Sequence, residues 1–301
     1  MTLELIKNQS VFTTPVIKVV GFHKGGNKAA KYVKSRCMKE IDFLFTSSPD
    51  EYVEAIREYE PDPVISLSGS STGALNISHV VKDADIVIFL CAMGDTETDQ
   101  LIPVITKIRK KHKAFTVVIA IKPFSFEDEQ RKSVAENGLK FLANCADSTI
   151  VIDSDLSLSP TASSLSHIDA FNTSYQCVLN AISVITDSLL TPGAINVDIQ
   201  DLQAAMVGVG SVGIGASEGE GRARTAVKLA LESPQLKHFD LPKATGVFIN
   251  ISAGESLTLN EFSEIGKTVD NVASDVSTIV MSTTILKNFG DSLKVAVVAM
   301  N

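Results

Sequence analysis

The sequence predicts an α/β protein in which a Rossmann-like parallel sheet is joined by a long helix to a smaller α+β domain. Two patterns indicate this fold. In the first half, short runs rich in Val, Ile and Phe alternate with helical segments, and such runs are typical of parallel strands buried on both faces. Beyond a long helical stretch at 163–190, the order of helices and strands becomes mixed. With 301 residues and 45% hydrophobic content, the chain is long enough for about two domains.

The first half alternates predicted strands with predicted helices. The strands are expected at 16–20, 41–45, 63–67, 86–90, 115–121 and 149–153. The helices are expected at about 28–38, 49–58, 100–111 and 127–143, with a Gly-rich turn at 21–27. Because loops leaving the carboxyl ends of parallel strands meet at one edge of the sheet, a ligand site is expected there.

In the second half the predicted helices and strands no longer alternate regularly, which indicates the smaller domain. Helices are expected at 197–206, 222–232 and 260–273, and strands at 246–252, 278–282 and 293–299. A Gly-rich segment at 208–215 carries no predicted element. We therefore divide the chain into a nucleotide-binding-type domain at 1–162, a central helix and turn at 163–195, and a second domain at 196–301.

Composition excludes several classes of protein. A net charge of −8 argues against a nucleic-acid binder, and the basic run 107–113 lies at a predicted helix C-terminus, where the helix dipole favours cations. No apolar run reaches about 18 residues, and the start MTLELIKNQS lacks the basic and apolar regions of a signal peptide. We expect a cytoplasmic protein without direct membrane insertion. The four scattered cysteines have no metal-ligand spacing and are interpreted as buried thiols.

The turn after the strand 86–90 carries three acids, Asp95, Glu97 and Asp99. In α/β proteins this kind of turn binds phosphate, yet a carboxylate about 4 Å from a phosphate charge costs about 4 kcal/mol in partly solvated protein. The same acids and their neighbouring threonines are good helix N-caps. The pattern predicts an anion site filled by the protein's own side chains. The alternative is a divalent cation held by the three acids, although no fixed ligand spacing supports it.

Several motifs, spread over nearly the whole chain, match one family. They are IKVVG (17–21) with GGN (25–27), ADIVIF (84–89) with AMG (92–94), KPFSFE (122–127) with Arg131, the start of the long helix to Phe171, and TPGAINVDIQD (191–201). In order, they resemble the first phosphate loop, the strand before the signature loop, the KPFxFE…R segment, the central helix and the synergy loop of FtsZ, the bacterial tubulin homologue. The chain is identified as similar to the FtsZ family.

The resemblance implies the tubulin/FtsZ fold, a GTP or GDP site with Mg²⁺ accompanying GTP, and head-to-tail filaments. In such filaments the synergy loop of one subunit completes the nucleotide site of the next. Asn196, Asp198 and Asp201 would then be catalytic in trans, orienting the water that attacks GTP. The alternative is structural, with Asn196 or Asp198 capping the helix that follows.

The same comparison indicates a degenerate GTP pocket. Of the family's GGGTGTG signature loop only Gly94 remains, and the central-helix positions that would recognise guanine are Tyr175 and Gln176. Lys24 is interpreted as a solvated loop lysine or a phosphate contact, and the loop 68–73 as a turn or an anion site. The full set of pocket positions is Gly21, Gly25, Gly26, Asn27, Gly94, Glu127, Arg131, Phe171, Tyr175 and Gln176.

Together these features predict a divergent FtsZ-like protein of cell division or the cytoskeleton, with weak or absent GTP binding. Its partners are expected to be further copies of itself, bound head to tail, or an authentic FtsZ filament. Two alternatives stay open. One is an active GTPase with a rebuilt pocket, and the other is a filament that assembles without nucleotide.

Overall fold

A computed structural model describes residues 14–37, 41–67, 76–94, 98–158, 165–237 and 239–301. The strands are β1 (Ile17–Phe22), β2 (Asp42–Ser47), β3 (Val64–Ser66), β4 (Ile86–Ala92), β5 (Phe115–Lys122), β6 (Ser148–Asp153), β7 (Gly208–Glu218), β8 (Gly246–Ala253), β9 (Thr278–Ile285) and β10 (Ser292–Met300). The helices are α1 (His23–Lys34), α2 (Tyr52–Tyr59), α3 (76–80), α4 (Thr98–Lys111), α5 (Glu129–Cys145), α6 (His167–Leu190), α7 (Ile199–Ala205), α8 (Arg222–Leu231), α9 (Pro234–Lys237) and α10 (Leu259–Val272).

The strands form one ten-stranded sheet in the order β3-β2-β1-β4-β5-β6-β7-β10-β8-β9. From β3 to β7 every neighbouring pair is parallel, as the sequence predicts. Helices α1, α2 and α6 bury their apolar residues against one face of this part, and α3, α4 and α5 cover the other. Strands enclosed in this way lose nearly all contact with water, which explains their continuous Val and Ile runs.

The second part of the sheet is antiparallel at β7-β10 and β10-β8, and parallel at β8-β9. Helices α8 and α10 pack on one face, and α6 and α7 on the other. β6 and β7 pair over only three residues each, which joins the two parts into a continuous sheet. The division of the chain at 162 and 195 stays a prediction.

The sequence missed β7, because its glycines have low strand propensity. Their role is close packing against α8. A Cβ on Gly213 would lie 2.2 Å from the Ala230 carbonyl oxygen, and one on Gly215 would lie 2.1 Å from that of Ala226. Glycine therefore lets a helix backbone approach a strand backbone, which no other residue permits here.

The long central helix begins later than predicted. α6 starts at His167, four residues after the expected start, because the Ser166 hydroxyl accepts a hydrogen bond from the Asp169 amide and caps the helix. Within the described residues no helix is long and apolar enough to cross a bilayer. All four cysteines are free thiols; Cys91 is buried, whereas the other three are only partly buried.

Candidate functional site

The first cluster of candidate residues lies where β1 meets α1. The predicted Gly-rich turn at 21–27 is wrong, since β1 continues to Phe22 and α1 begins at His23 with a φ of +55°. The His23 amide donates to the Thr46 hydroxyl at 2.9 Å, and that hydroxyl donates to the Gly21 carbonyl at 3.0 Å. A side chain from β2 therefore satisfies the first amide of the helix, one of the groups with which helix N-termini bind anions.

Asn27 is also engaged by β2. The residue is 3% exposed, its Nδ2 donates to the Thr46 carbonyl at 2.7 Å, and its Oδ1 accepts from the Thr46 amide at 3.2 Å. Both ends of the amide group are thus bonded to backbone, which holds α1 against the end of β2.

The glycines of this segment permit close packing. A Cβ on Gly25 would lie 2.3 Å from the Ala92 Cβ, and one on Gly26 would lie 2.0 Å from the Leu90 carbonyl oxygen. A Cβ on Gly21 would approach the Asn27 Oδ1 to 2.7 Å. These contacts explain all three glycines through the approach of α1 to β1 and β4, without a ligand.

Gly94, Arg131 and Glu127 come together at the carboxyl ends of β4 and β5. Gly94 has a φ of +101°, and a Cβ there would lie 2.8 Å from the Arg131 carbonyl oxygen. Glu127 accepts the Phe124 amide at 2.8 Å through Oε1, and its Oε2 lies 3.3 Å from Arg131 Nε. Glu127 thus orders its own loop and pairs with Arg131.

Aromatic side chains line the first part of α6 beside this loop. The Phe124 and Phe171 rings meet edge to face at 5.2 Å, and Tyr175 lies 6.4 Å from Phe171. Burial raises the pKa of Tyr175, and the negative charge of Glu127 adds to this effect. The predicted pocket residues Glu127, Arg131, Phe171, Tyr175 and Gly94 therefore form one connected group.

Two further residues of this group were not predicted: Tyr32 lies on α1, and Arg36 lies two residues after its end. Tyr32 lies 5.7 Å from the Tyr175 ring, and its hydroxyl donates to Gln176 Oε1 at 3.1 Å. The Arg36 guanidinium stacks over the Tyr32 ring at 3.7 Å. Tyr32 and Arg36 are four residues apart in a predicted helix, a spacing that places two side chains next to each other. This spacing could have predicted their contact from the sequence.

Charged residues surround the start of α1. Lys24 pairs with Glu51 at 2.5 Å and remains largely exposed. A cavity of about 50 Å³ beside it is lined by residues of α1, α2 and the end of β2. Asp95, Glu97 and the loop 68–73 lie outside the described residues, and the side chain of Asp99 does so too, so the predicted acid-filled turn stays a prediction.

The second cluster follows the end of α6. Asn196 forms a closed ring with Gly193, accepting its amide at 2.8 Å and donating to its carbonyl at 3.1 Å. Asp198 caps α7 by accepting the amides of Gln200 and Asp201, while Asp201 Oδ2 accepts the Asp198 amide at 3.0 Å. This reciprocal arrangement is a capping box, so the structural interpretation predicted for Asp198 is confirmed and extends to Asp201.

The two clusters lie at opposite ends of α6. The group that contains Phe171 and Tyr175 lies beside its first half, and the second cluster begins directly after Leu190. At about 1.5 Å per residue, the helix between Tyr175 and Leu190 spans about 22 Å, so the chain does not bring the clusters into one site.

Comparisons with known proteins agree with this architecture. The chain is 33% identical to the cell division protein FtsZ of Buchnera aphidicola subsp. Baizongia pistaciae, covering 94% of this chain and 78% of the relative. It is 34% identical, with the same coverage, to the FtsZ of Wigglesworthia glossinidia brevipalpis. The chain belongs to the FtsZ family. A model of the FtsZ C-terminal domain matches residues 208–301.

Solved structures extend the FtsZ likeness to the fold. An FtsZ dimer from M. jannaschii superposes with a TM-score of 0.84 at 27% identity, covering 96% of this chain and 89% of that one. CetZ2 from Haloferax volcanii has a TM-score of 0.77 at 12% identity, covering 95% and 93%, and shares the fold alone. The predicted tubulin/FtsZ fold is confirmed, and the chain is an FtsZ-like protein of the cell-division and cytoskeletal tubulin superfamily.

Proposed function

We propose that this FtsZ-family protein binds GTP weakly or not at all and acts through contacts with other subunits. The observation that carries the proposal is that Thr46 of β2 already bonds the first amide of α1 and the side chain of Asn27. The Thr46 hydroxyl accepts the hydrogen bond of the first α1 amide. The Thr46 backbone bonds both the Nδ2 and the Oδ1 of Asn27. A phosphate at this position competes with hydrogen bonds that are already made within the protein, so these groups do not fit a strong phosphate site.

The composition of the neighbouring turn supports the same conclusion. Asp95, Glu97 and Asp99 follow Gly94, where the family's signature loop is rich in glycine. Three carboxylates in this position disfavour the phosphates of GTP. Both features act on the same half of the predicted pocket.

Subunit contact is supported by the separation of the two clusters. A site that needs residues from both ends of α6 requires a second molecule, placed head to tail, because within one chain Tyr175 and Leu190 are separated by about 22 Å of helix. Asn196, Asp198 and Asp201 are exposed at the far end and present an ordered loop to such a partner. The partner in this proposal is an FtsZ filament end or another copy of this chain. A heterologous contact of this type propagates or caps a filament.

The alternative is an active GTPase with a rebuilt pocket. It is favoured by the group of Glu127, Arg131 and Tyr175, which stays assembled beside α6. In that case Asp198 and Asp201 act in trans, and Mg²⁺ accompanies GTP. Phosphate release per molecule then rises with protein concentration, because each site is shared between two subunits.

Calorimetric titration with GTP and Mg²⁺, with GDP as the control, separates the two functions. The proposal expects no saturable heat up to millimolar GTP. Micromolar binding contradicts it and supports the rebuilt pocket. A matched titration of Thr46→Ala, which removes the hydroxyl from the first helical amide, reveals whether this hydrogen bond limits the affinity.

Co-sedimentation with an authentic FtsZ polymerised by GTP tests the partner. The proposal expects this chain to enter the pellet, or to shorten the filaments, at equimolar ratio. If this chain stays in the supernatant and the filament length does not change, the docking role is wrong. Electron microscopy of the chain alone, without nucleotide, tests assembly with itself.

A further inference from the structure

The loop that carries Asn196, Asp198 and Asp201 is attached to the edge of the sheet. β9 is the edge strand of the sheet, and its outer side pairs with the segment after α6. The Thr283 amide donates to the Ile195 carbonyl at 2.9 Å, and the Ile285 amide donates to the Pro192 carbonyl at 3.3 Å. The loop therefore covers part of an edge that would otherwise be open to pairing with another strand.

Thr283 makes a second bond to the same segment through its side chain. Its Oγ1 accepts the Ile195 amide at 2.8 Å, so Ile195 is held at both its amide and its carbonyl. Gly193 lies directly on this strand, and a Cβ there would be 1.8 Å from the Thr283 carbonyl oxygen. The side chain of Asn196 is hydrogen-bonded to the backbone of Gly193. The contact between Gly193 and Thr283 therefore also holds the candidate residue Asn196 in place.

The strand residues on either side of Thr283 belong to a buried hydrogen-bonded hub. Asn250, which is 1% exposed, lies with its Nδ2 3.0 Å from each of the hydroxyls of Ser188, Ser282 and Thr284. The Ser188 and Ser282 hydroxyls lie 2.8 Å apart. Since Ser188 is on α6 and Asn250 is on β8, the hub fixes β9 against both α6 and β8.

We propose that Thr283 is a positioning residue for the loop 193–201, and that the Asn250 hub holds Thr283 in place. The inference rests on the proposed function, since the loop is the surface offered to a partner subunit. In this arrangement strands β8 and β9 set the position of Asn196, Asp198 and Asp201. Ser282 and Thr284 bond to Asn250 in the hub, and Thr283 between them bonds to Ile195 in the loop. A displacement of the hub residues therefore displaces the loop through β9.

Hydrogen exchange of the isolated protein tests the positioning without any partner. Thr283→Val keeps the shape of the side chain but removes the acceptor of the Ile195 amide. We expect that amide and its neighbours at 193–198 to exchange about two- to tenfold faster, the range expected for one lost hydrogen bond. Thr283→Ser, which restores the hydroxyl, is expected to return the exchange rate to that of the wild type.

The control is Thr116→Val, the same change at another buried strand threonine, whose hydroxyl donates to Asp147 and not to the loop. It is expected to lower stability without changing exchange at 193–198. Unchanged exchange in Thr283→Val, or equal acceleration in Thr116→Val, overturns the inference.

Docking on FtsZ filaments then distinguishes the two proposals. Wild type and Thr283→Ser are expected to dock alike, and Thr283→Val several times more weakly. If the wild type itself fails to dock, the proposed function is wrong, and the exchange experiment still decides the positioning role. If all three dock equally while the loop exchanges faster in Thr283→Val, the positioning role of Thr283 is supported, and the proposal that the loop is the docking surface is wrong.

Discussion

The side-chain amide of Asn27 makes two hydrogen bonds to the backbone of Thr46, donating to its carbonyl and accepting from its amide. The pair is buried and ties the start of α1 to the end of β2. A group that the family resemblance places in a phosphate loop is therefore a structural link in this protein. Its removal has consequences for stability that differ from those expected of a ligand-binding residue.

Asn27→Ala leaves the buried amide and carbonyl of Thr46 without partners. We expect a loss of about 2–6 kcal/mol in the free energy of unfolding, since each of the two unsatisfied buried groups costs about 1–3 kcal/mol. Urea denaturation measures it. Asn144→Ala is the control, because the Asn144 amide makes an exposed bond to Lys140 within α5. A stable Asn27→Ala variant that loses GTP affinity would contradict the structural role.

Gly193→Ala is expected to displace the loop from β9, because the new methyl group would overlap the Thr283 carbonyl. We expect weaker docking and a lower midpoint of thermal unfolding. Gly266→Ala is the matched control, since its Cβ would meet only the flexible Met281 side chain at 3.1 Å, and alanine favours the α10 helix. Equal behaviour of the two variants in both assays would show that the loop tolerates displacement.

Because Asp198 caps α7, its capping role and the role of its charge can be tested with two different substitutions. Asp198→Ala removes the cap and is expected to cost about 1 kcal/mol of stability, whereas Asp198→Asn keeps a good cap and removes only the charge. If the carboxylate serves a partner subunit, Asp198→Asn weakens docking or hydrolysis at unchanged stability. Wild-type function in Asp198→Asn would assign this residue to capping alone.

The ion pair of Arg222 and Glu261 predicts a pH dependence of stability. Arg222 is 5% exposed and donates to both Glu261 carboxylate oxygens, at 2.6 and 3.2 Å. These bonds lower the pKa of Glu261 from its ordinary value of 4.5, so the stabilisation is complete above that pH and is lost as the pH falls through the lowered value.

Glu261→Gln tests this pH dependence by thermal unfolding between pH 7 and pH 3. The variant is expected to unfold at a lower temperature than the wild type near pH 7, because Arg222 loses its charged partner. The gap is expected to close in acid, where wild-type Glu261 also becomes neutral. Arg224, which pairs with Glu264 at an exposed site, provides the control, and Glu264→Gln is expected to change stability little at any pH. A gap that stays constant with pH would contradict the assignment.

Much of the fold was predictable because local patterns determine it. Runs such as Ile86–Leu90 and Phe115–Ile121 predicted buried parallel strands, and the segment 191–201 predicted the family and its loop. The capping interpretation of Asp198 also needed only sequence, since an N-cap and its partner three residues later are local features.

The tertiary structure alone decided which distant groups meet. Thr46 is 19 residues from Asn27 and Thr283 is 88 residues from Ile195, and no pattern of residue types specifies those partners. The same holds for β7, whose glycines became interpretable only when α8 was seen against them. Periodicity fixes which side of an element is buried, whereas the partner of a buried polar group depends on how whole elements pack. The sequence by itself therefore determined the family and most elements, and long-range packing decided what the loop residues do.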